Sequence, residues 1–86
     1  MSSLTRPRAL SLYRQLLRGA KKMPTPNRQN FVIKKTRAGF RANRQLEDIE
    51  DIDFHLRLAD TNLDTVLVQA EHLTKIMNDP KYHGDV

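Results

Sequence analysis

The sequence lacks cysteine entirely and has only three glycines among its 86 residues. Without cysteine the chain has no disulfides, no thiolate metal ligands and no thiol nucleophile, which agrees with a reducing compartment. No apolar run approaches the roughly 20 residues that a membrane-spanning helix needs, so we expect no membrane span. A glycine-rich phosphate loop and a nucleophile elbow are also missing, which argues against the common nucleotide-binding and hydrolytic enzymes.

Acidic residues are absent from the first half of the chain. Residues 1–46 hold 12 of the 15 lysines and arginines and no acid, while residues 47–86 hold all 10 acidic residues. The net charge of +5 predicts anionic partners. A chain polarised in this way either folds its two halves against each other or presents one positive face to a partner. The acid-free, Arg- and Ser-containing N-terminus is typical of organelle transit segments, although it also fits the first turn of a helix.

A chain of this length forms one domain and buries only about two thirds of the surface that its unfolded form exposes. We assign residues 1–78 to a single three-helix domain and residues 79–86 to a flexible C-terminal tail. The core of such a domain is thin, and a bound partner would therefore add to its stability.

Two short helices are predicted from apolar residues that recur at steps of three and four. The first spans residues 6–22 and begins at Thr5 and Pro7, because a hydroxyl caps free amides and proline is tolerated at a helix start. The second opens on the same signature at Thr25 and Pro26. The predicted inner face of the first helix consists of Ala9, Leu12, Tyr13, Leu16, Leu17 and Ala20, and that of the second of Val32, Ile33, Thr36, Phe40 and Asn43.

The third predicted helix is longer than the other two. With a rise of about 1.5 Å per residue, it would be about 45 Å long. It begins after Asp48, which caps it, and ends at Asn78. Its apolar stripe consists of Ile49, Ile52, Leu56, Ala59, Leu63, Val66, Ala70, Leu73 and Met77. Three such helices with short joints predict an all-α, antiparallel three-helix bundle in up-down-up order. Because the third helix is the longest, we expect its apolar stripe to protrude.

Gly39 stands inside the second predicted helix, where glycine costs about 1 kcal/mol relative to alanine. Its position beside Phe40 indicates either close packing or a local opening of the structure. The alternative is a surface glycine that the helix tolerates.

No group of residues points to catalysis or to a metal site. His55 and His72 lie 17 positions apart on one helix and His83 lies in the tail, which is not the spacing of convergent ligands. The acidic cluster of residues 47–53 is explained by the start of the third helix, where carboxylates favour the positive end of the dipole. We therefore expect no enzyme activity, no catalytic residue, no metal and no cofactor of its own.

The basic half of the chain also fits a nucleic-acid-binding protein, since lysine and arginine neutralise phosphates and release counterions. Modules for single strands usually add aromatic stacking platforms. Phe31, Phe40 and Phe54 are expected in the core instead, and Tyr13 on the inner face of the first helix. A basic, RNA-binding ribosomal component remains the alternative function.

Two motifs resemble those of one protein family. The run Leu10–Arg18 contains Leu12-Tyr13-Arg14, and Phe40-Arg41-Ala42-Asn43 follows in the second helix. The first is similar to the opening motif of the LYR-motif (complex I LYR-like) family, and the second is similar to its distal Phe-Arg-x-Asn element. Together with the basic character, the length and the three-helix pattern, the resemblance covers residues 8–77.

The resemblance implies a mitochondrial matrix adaptor that binds acyl carrier protein and receives its acyl chain, delivered on 4'-phosphopantetheine. Carrier proteins are acidic, so cationic side chains would hold them while an apolar channel buries the lipid. The expected partner-binding residues are Leu12, Tyr13, Arg14, Lys34, Lys35, Arg37 and Arg41. The expected acyl-chain channel is lined by Leu12, Leu16, Phe40 and Leu63.

Three clients of such an adaptor remain open. Residues 27–40 are similar to the small LYR partner of mitochondrial cysteine desulfurase, which supports iron-sulfur cluster assembly. Residues 62–65 depart from that protein, which has Leu-Gly followed by basic residues there. Residues 40–48 are similar to a small LYR protein that joins a carrier protein on the assembling mitochondrial large ribosomal subunit. Subunits or assembly factors of respiratory complexes form the third possibility.

Overall fold

The computed structural model describes residues 5–79 and contains three helices, α1 (Arg6–Ala20), α2 (Pro26–Ala42) and α3 (Ile49–Met77). These residues contain no strand, and α3 is the longest helix. The predicted all-α bundle with a long third helix is therefore confirmed. The predicted tail, except for Asp79, and the first four residues of the acid-free N-terminus lie outside the described residues.

The starts of α2 and α3 follow the predicted capping chemistry. The Asp48 carboxylate accepts hydrogen bonds from the backbone N–H groups of Glu50 at 2.8 Å and Asp51 at 3.2 Å. The Thr25 hydroxyl accepts one from the backbone N–H of Arg28 at 3.3 Å. Each side chain thereby binds amides that have no acceptor within the helix.

The start of α1 is placed correctly by the sequence, but the expected hydroxyl cap is wrong. The Thr5 side chain makes no capping hydrogen bond, because its backbone is nearly helical rather than extended, at φ −97° and ψ −19°. Pro7 in the first turn remains as a start signal. The helix ends at Ala20, two residues before the predicted end, where a tighter turn follows as the Lys22 N–H donates to the Gly19 carbonyl.

The helices run up, down and up, with α1 in contact with both of the others. The ion pair between Arg8 and Asp53, 3.7 Å long, places the starts of α1 and α3 side by side. Gly19 near the end of α1 approaches Val66 and Leu67 further along α3. By contrast, α2 and α3 make few direct contacts. The bundle is therefore closed along both sides of α1 and open between α2 and α3.

The core is one layer of small and medium side chains centred on α1. Its members are Ala9, Leu12, Leu16, Ala20, Met23, Val32, Ile52, Leu56, Ala59, Leu63, Val66 and Ala70. Leu73 still packs partly against this core and Met77 is half-buried, so the stripe of α3 does not protrude as far as predicted. At the other end, Ile49 was expected in the stripe but is 79% exposed.

Two aromatic residues that the sequence placed in the core lie on the surface. Phe31 is 66% exposed and Phe54 is 61% exposed, while Phe40 is half-buried against the core. Phe54 follows the buried Ile52 by two positions, and this spacing turns it away from α1. None of the helices within residues 5–79 has the length and apolar character to cross a membrane.

Candidate partner-binding site

The open side of the bundle forms a groove between α2 and α3, with a volume of about 370 Å³. The buried side chain of Leu16, from α1, lies at its floor. The apolar lining residues are Leu16, Phe31, Val32, Phe40, Leu56, Leu58, Ala59 and Val66. Polar side chains stand among them at Lys35, Thr36, Asn43, His55, Asn62, Thr65 and Gln69. An elongated apolar ligand fits a groove of this composition.

Gly39 lies in the α2 wall of this groove. A Cβ atom added there would meet no heavy atom within 4 Å. Close packing, one of the alternatives that the sequence left open, is therefore excluded. Gly39 is exposed and borders open space, which fits both a local opening and a surface glycine. The space beside it is part of the groove.

A second, basic pocket of about 580 Å³ lies between the first half of α1 and the last half of α2. Its lining residues are Arg6, Ala9, Leu10, Tyr13, Arg37, Phe40, Arg41 and Arg44. Four of the eight are arginines and none is acidic. An anionic group would be attracted to this pocket, and several guanidinium groups are available to it. We refer to these eight residues as the basic pocket.

Phe40 separates the basic pocket from the groove, since it lines both. Its ring lies 5.1 Å from the ring of Tyr13, centroid to centroid, at an interplanar angle of 59°. The half-buried Tyr13 ring is the neighbour of Phe40 on the pocket side. A ligand with a charged head and an apolar tail would therefore meet the two regions in succession, divided by this aromatic pair.

The charge polarity of the sequence is only weakly compensated within the structure. Among residues 5–79, a single ion pair, Arg8–Asp53, joins the basic half to the acidic half. Asp53 is shared with Arg57, which contacts it at 2.8 Å, and this pairing lies within α3. None of the four arginines of the basic pocket forms an ion pair within the same residues. The positive face on α1 and α2 is thus available to a partner.

The expected partner-binding residues separate into four groups. Tyr13, Arg37 and Arg41 converge in the basic pocket, and Lys35 stands in the groove wall. Leu12 is buried in the core. The last two, Arg14 and Lys34, are exposed and line neither the groove nor the basic pocket.

Two arginines of the basic pocket, Arg6 and Arg44, were not selected from the sequence. Arg44 follows Arg37 and Arg41 at a spacing of four and then three residues, which is the spacing of one helix face. That periodicity was a signal in the sequence. Arg6 carries the same kind of signal, since it precedes Tyr13 by seven residues, or about two helical turns, on the same face of α1.

The expected acyl-chain channel is divided between the groove and the core. Leu16 and Phe40 line the groove, whereas Leu12 and Leu63 are buried in the core and do not line it. The sequence missed Phe31 and Leu58, both exposed residues in the groove lining.

The histidines are separated in space as well as in sequence. His55 lines the groove with its ring 5.3 Å from that of Phe54, and His72 is exposed. The third, His83, lies outside the described residues. Within residues 5–79 there is no group of three or more His, Cys, Asp or Glu side chains that could hold a metal ion.

Comparison with known proteins gives one family and a consistent set of relatives. The family model described as Complex 1 protein (LYR family) matches residues 7–65. The chain is 37% identical over 66 residues to the LYR motif-containing protein 4 homolog of Drosophila subobscura, covering 77% of this chain and 72% of the relative. The homolog of Drosophila melanogaster is 39% identical over 66 residues, again covering 77% of this chain and 72% of the relative. LYR motif-containing protein 4 of Danio rerio is 30% identical over 70 residues, covering 81% of this chain and 79% of the relative. No solved structure matches the chain significantly.

Proposed function

Because the chain belongs to the LYR family, we propose that it is a non-catalytic mitochondrial adaptor for acylated acyl carrier protein. The observation that carries this proposal is the succession of basic pocket, aromatic pair and apolar groove. Acyl-4'-phosphopantetheine has the matching order, with an acidic protein and a phosphate at one end and a hydrocarbon chain at the other. Each region of the site thus corresponds to one part of this ligand.

The basic pocket would receive the charged part of the partner. Arg37 and Arg41 lie on one face of α2, Arg44 lies just beyond its end, and Arg6 approaches from α1. Guanidinium groups bind phosphates and carboxylates through paired hydrogen bonds. Cationic surfaces also speed the encounter with an acidic protein through long-range attraction. The Tyr13 hydroxyl would orient the phosphopantetheine arm at the inner end of the pocket.

The groove would hold the hydrocarbon chain. Each buried methylene contributes about 0.8 kcal/mol. The groove, of about 370 Å³, therefore offers apolar surface along which several methylenes of an acyl chain would be buried. The acyl chain would cover apolar side chains of α2 and α3. These two helices have few contacts with each other in the structure. The acyl chain therefore completes the bundle while it anchors the carrier.

We propose mitochondrial cysteine desulfurase as the client of this adaptor, which would then be an assembly factor for iron-sulfur clusters. The three relatives above share one name, LYR motif-containing protein 4, which indicates that the chain resembles one member of the family in particular. The similarity of residues 27–40 to the small LYR partner of the desulfurase supports the same client. Residues 62–65, which depart from that partner, lie on α3 and do not support this client.

Affinity purification from mitochondria, followed by native and denaturing intact-mass measurement, tests this function. We expect a carrier protein whose mass includes phosphopantetheine and an acyl chain, together with cysteine desulfurase. A carrier found with large-subunit ribosomal proteins or with respiratory-complex subunits would retain the adaptor and replace the client. Recovery of RNA without a carrier would overturn the adaptor and favour the basic RNA-binding alternative.

A further inference from the structure

Gly39 is the only residue of the α2 groove wall without a side chain. The neighbouring turns contribute Lys35, Thr36 and Asn43 to the same wall, at the spacing of one helix face. At position 39 a Cβ atom would have no heavy atom within 4 Å, so a larger side chain there would extend into the groove. The width of the groove at this point is therefore set by the absence of a side chain.

Neither helix formation nor packing requires glycine at position 39. Glycine is among the poorest helix formers, and no positive φ angle occurs among the described residues. Gly19 differs, because a Cβ there would lie 3.3 Å from side-chain carbons of Val66 and Leu67. Close packing thus explains Gly19 but not Gly39. What position 39 provides is space within the groove.

Gly39 lies between the end of the groove that borders the basic pocket and the opposite end. It adjoins Phe40, which borders the basic pocket, while Phe31 and Gln69 lie toward the other end of the lining, since α2 and α3 run antiparallel. An acyl chain that enters past Phe40 has to pass Gly39 before it reaches Phe31. We propose that Gly39 determines the length of acyl chain that the groove accepts, an inference that rests on the function proposed above.

Binding of carriers with different acyl chains tests this role. A purified acyl carrier protein is charged separately with octanoyl, dodecanoyl and hexadecanoyl chains, and its dissociation constant is measured for wild type, Gly39→Leu and Ala38→Leu. Ala38 is exposed and does not line the groove, so its variant controls for an added leucine on α2. Leucine is a good helix former, and circular dichroism checks that both variants fold.

We expect wild type and Ala38→Leu to prefer the longer chains, and Gly39→Leu to lose that preference. Each methylene kept out of the groove lowers the affinity about fourfold, so the preference for hexadecanoyl over octanoyl should fall by at least about tenfold. An unchanged preference in Gly39→Leu would overturn the role of Gly39 and leave the adaptor function standing. Equal weakening for all three chains would also overturn it, since position 39 would then act in docking. Failure of wild type to bind any charged carrier would overturn the proposed function itself.

Discussion

The rings of Tyr13 and Phe40, 5.1 Å apart and tilted by 59°, bring the two family motifs together across the α1–α2 interface. Tyr13 belongs to the Leu-Tyr-Arg motif on α1 and Phe40 begins the Phe-Arg-x-Asn element on α2. The motifs meet because the two helices are antiparallel, so that the first half of α1 lies beside the last half of α2. Aromatic pairs of this kind contribute about 0.5–1.5 kcal/mol beyond the area that they bury.

Phe40→Ala should destabilise the protein by about 1–2 kcal/mol, less than the 3–5 kcal/mol typical of a fully buried phenylalanine because Phe40 is half-buried. It removes the contact with Tyr13 and joins the basic pocket to the groove. The measurement is the free energy of unfolding in urea. Phe31→Ala is the matched control, since Phe31 is 66% exposed and should cost below about 0.5 kcal/mol. Equal losses of stability in the two variants would contradict the assigned position of Phe40, half-buried between the basic pocket and the groove.

Arg41→Glu should weaken binding of an acyl carrier protein by about tenfold or more at low ionic strength, because it reverses a charge in the basic pocket. The control is Arg57→Glu, on α3 and outside the pocket, where Arg57 pairs with Asp53. Dissociation constants are measured by titration at two salt concentrations. The difference between the variants should shrink as salt is added. Equal effects at low salt would show that the carrier does not dock on this face.

Local sequence signals were sufficient to predict the helices. Apolar residues at steps of three and four gave three helices, and the caps at Thr25 and Asp48 marked two of the starts. These signals depend on residues close in sequence, so they do not require knowledge of the packing. The Thr5 cap failed because capping depends on the backbone angles of the cap residue, and the sequence does not specify them at that position.

The site was harder to predict, because the groove exists only where α2 and α3 do not pack against each other. Periodicity identifies side chains that face inward, and it selected Leu12 and Leu63 together with Leu16. The first two fill the core while Leu16 also borders the groove, a difference set by the separation of α2 from α3. Phe31 was also expected in the core, although it stands beside the predicted inner face of α2 rather than on it. It lies on the surface because α3 does not close over that end of α2.

The two helical glycines should respond differently to alanine. Gly39→Ala should raise the free energy of unfolding by about 0.5–1 kcal/mol, since alanine is the better helix former and the added methyl meets nothing. Gly19→Ala should raise the free energy of unfolding by less than Gly39→Ala does, or should lower it, because its methyl would press on Val66 and Leu67. Thermal unfolding resolves the pair, as 1 kcal/mol corresponds to about 4–8 °C in a domain of this size. Equal shifts would contradict the close approach of α1 to α3.

Removal of the Asp48 cap should destabilise α3 more than removal of the Thr25 cap destabilises α2. Asp48→Ala leaves two backbone N–H groups, those of Glu50 and Asp51, without their acceptor and should cost about 1–2 kcal/mol. Thr25→Ala removes one longer bond of 3.3 Å, to Arg28, and should cost about 0.5 kcal/mol. Asp48→Asn keeps an acceptor oxygen, so urea unfolding should place it within about 0.5 kcal/mol of wild type. If Asp48→Asn lost as much stability as Asp48→Ala, the contribution of Asp48 would come from its charge at the positive end of the helix dipole rather than from its hydrogen bonds.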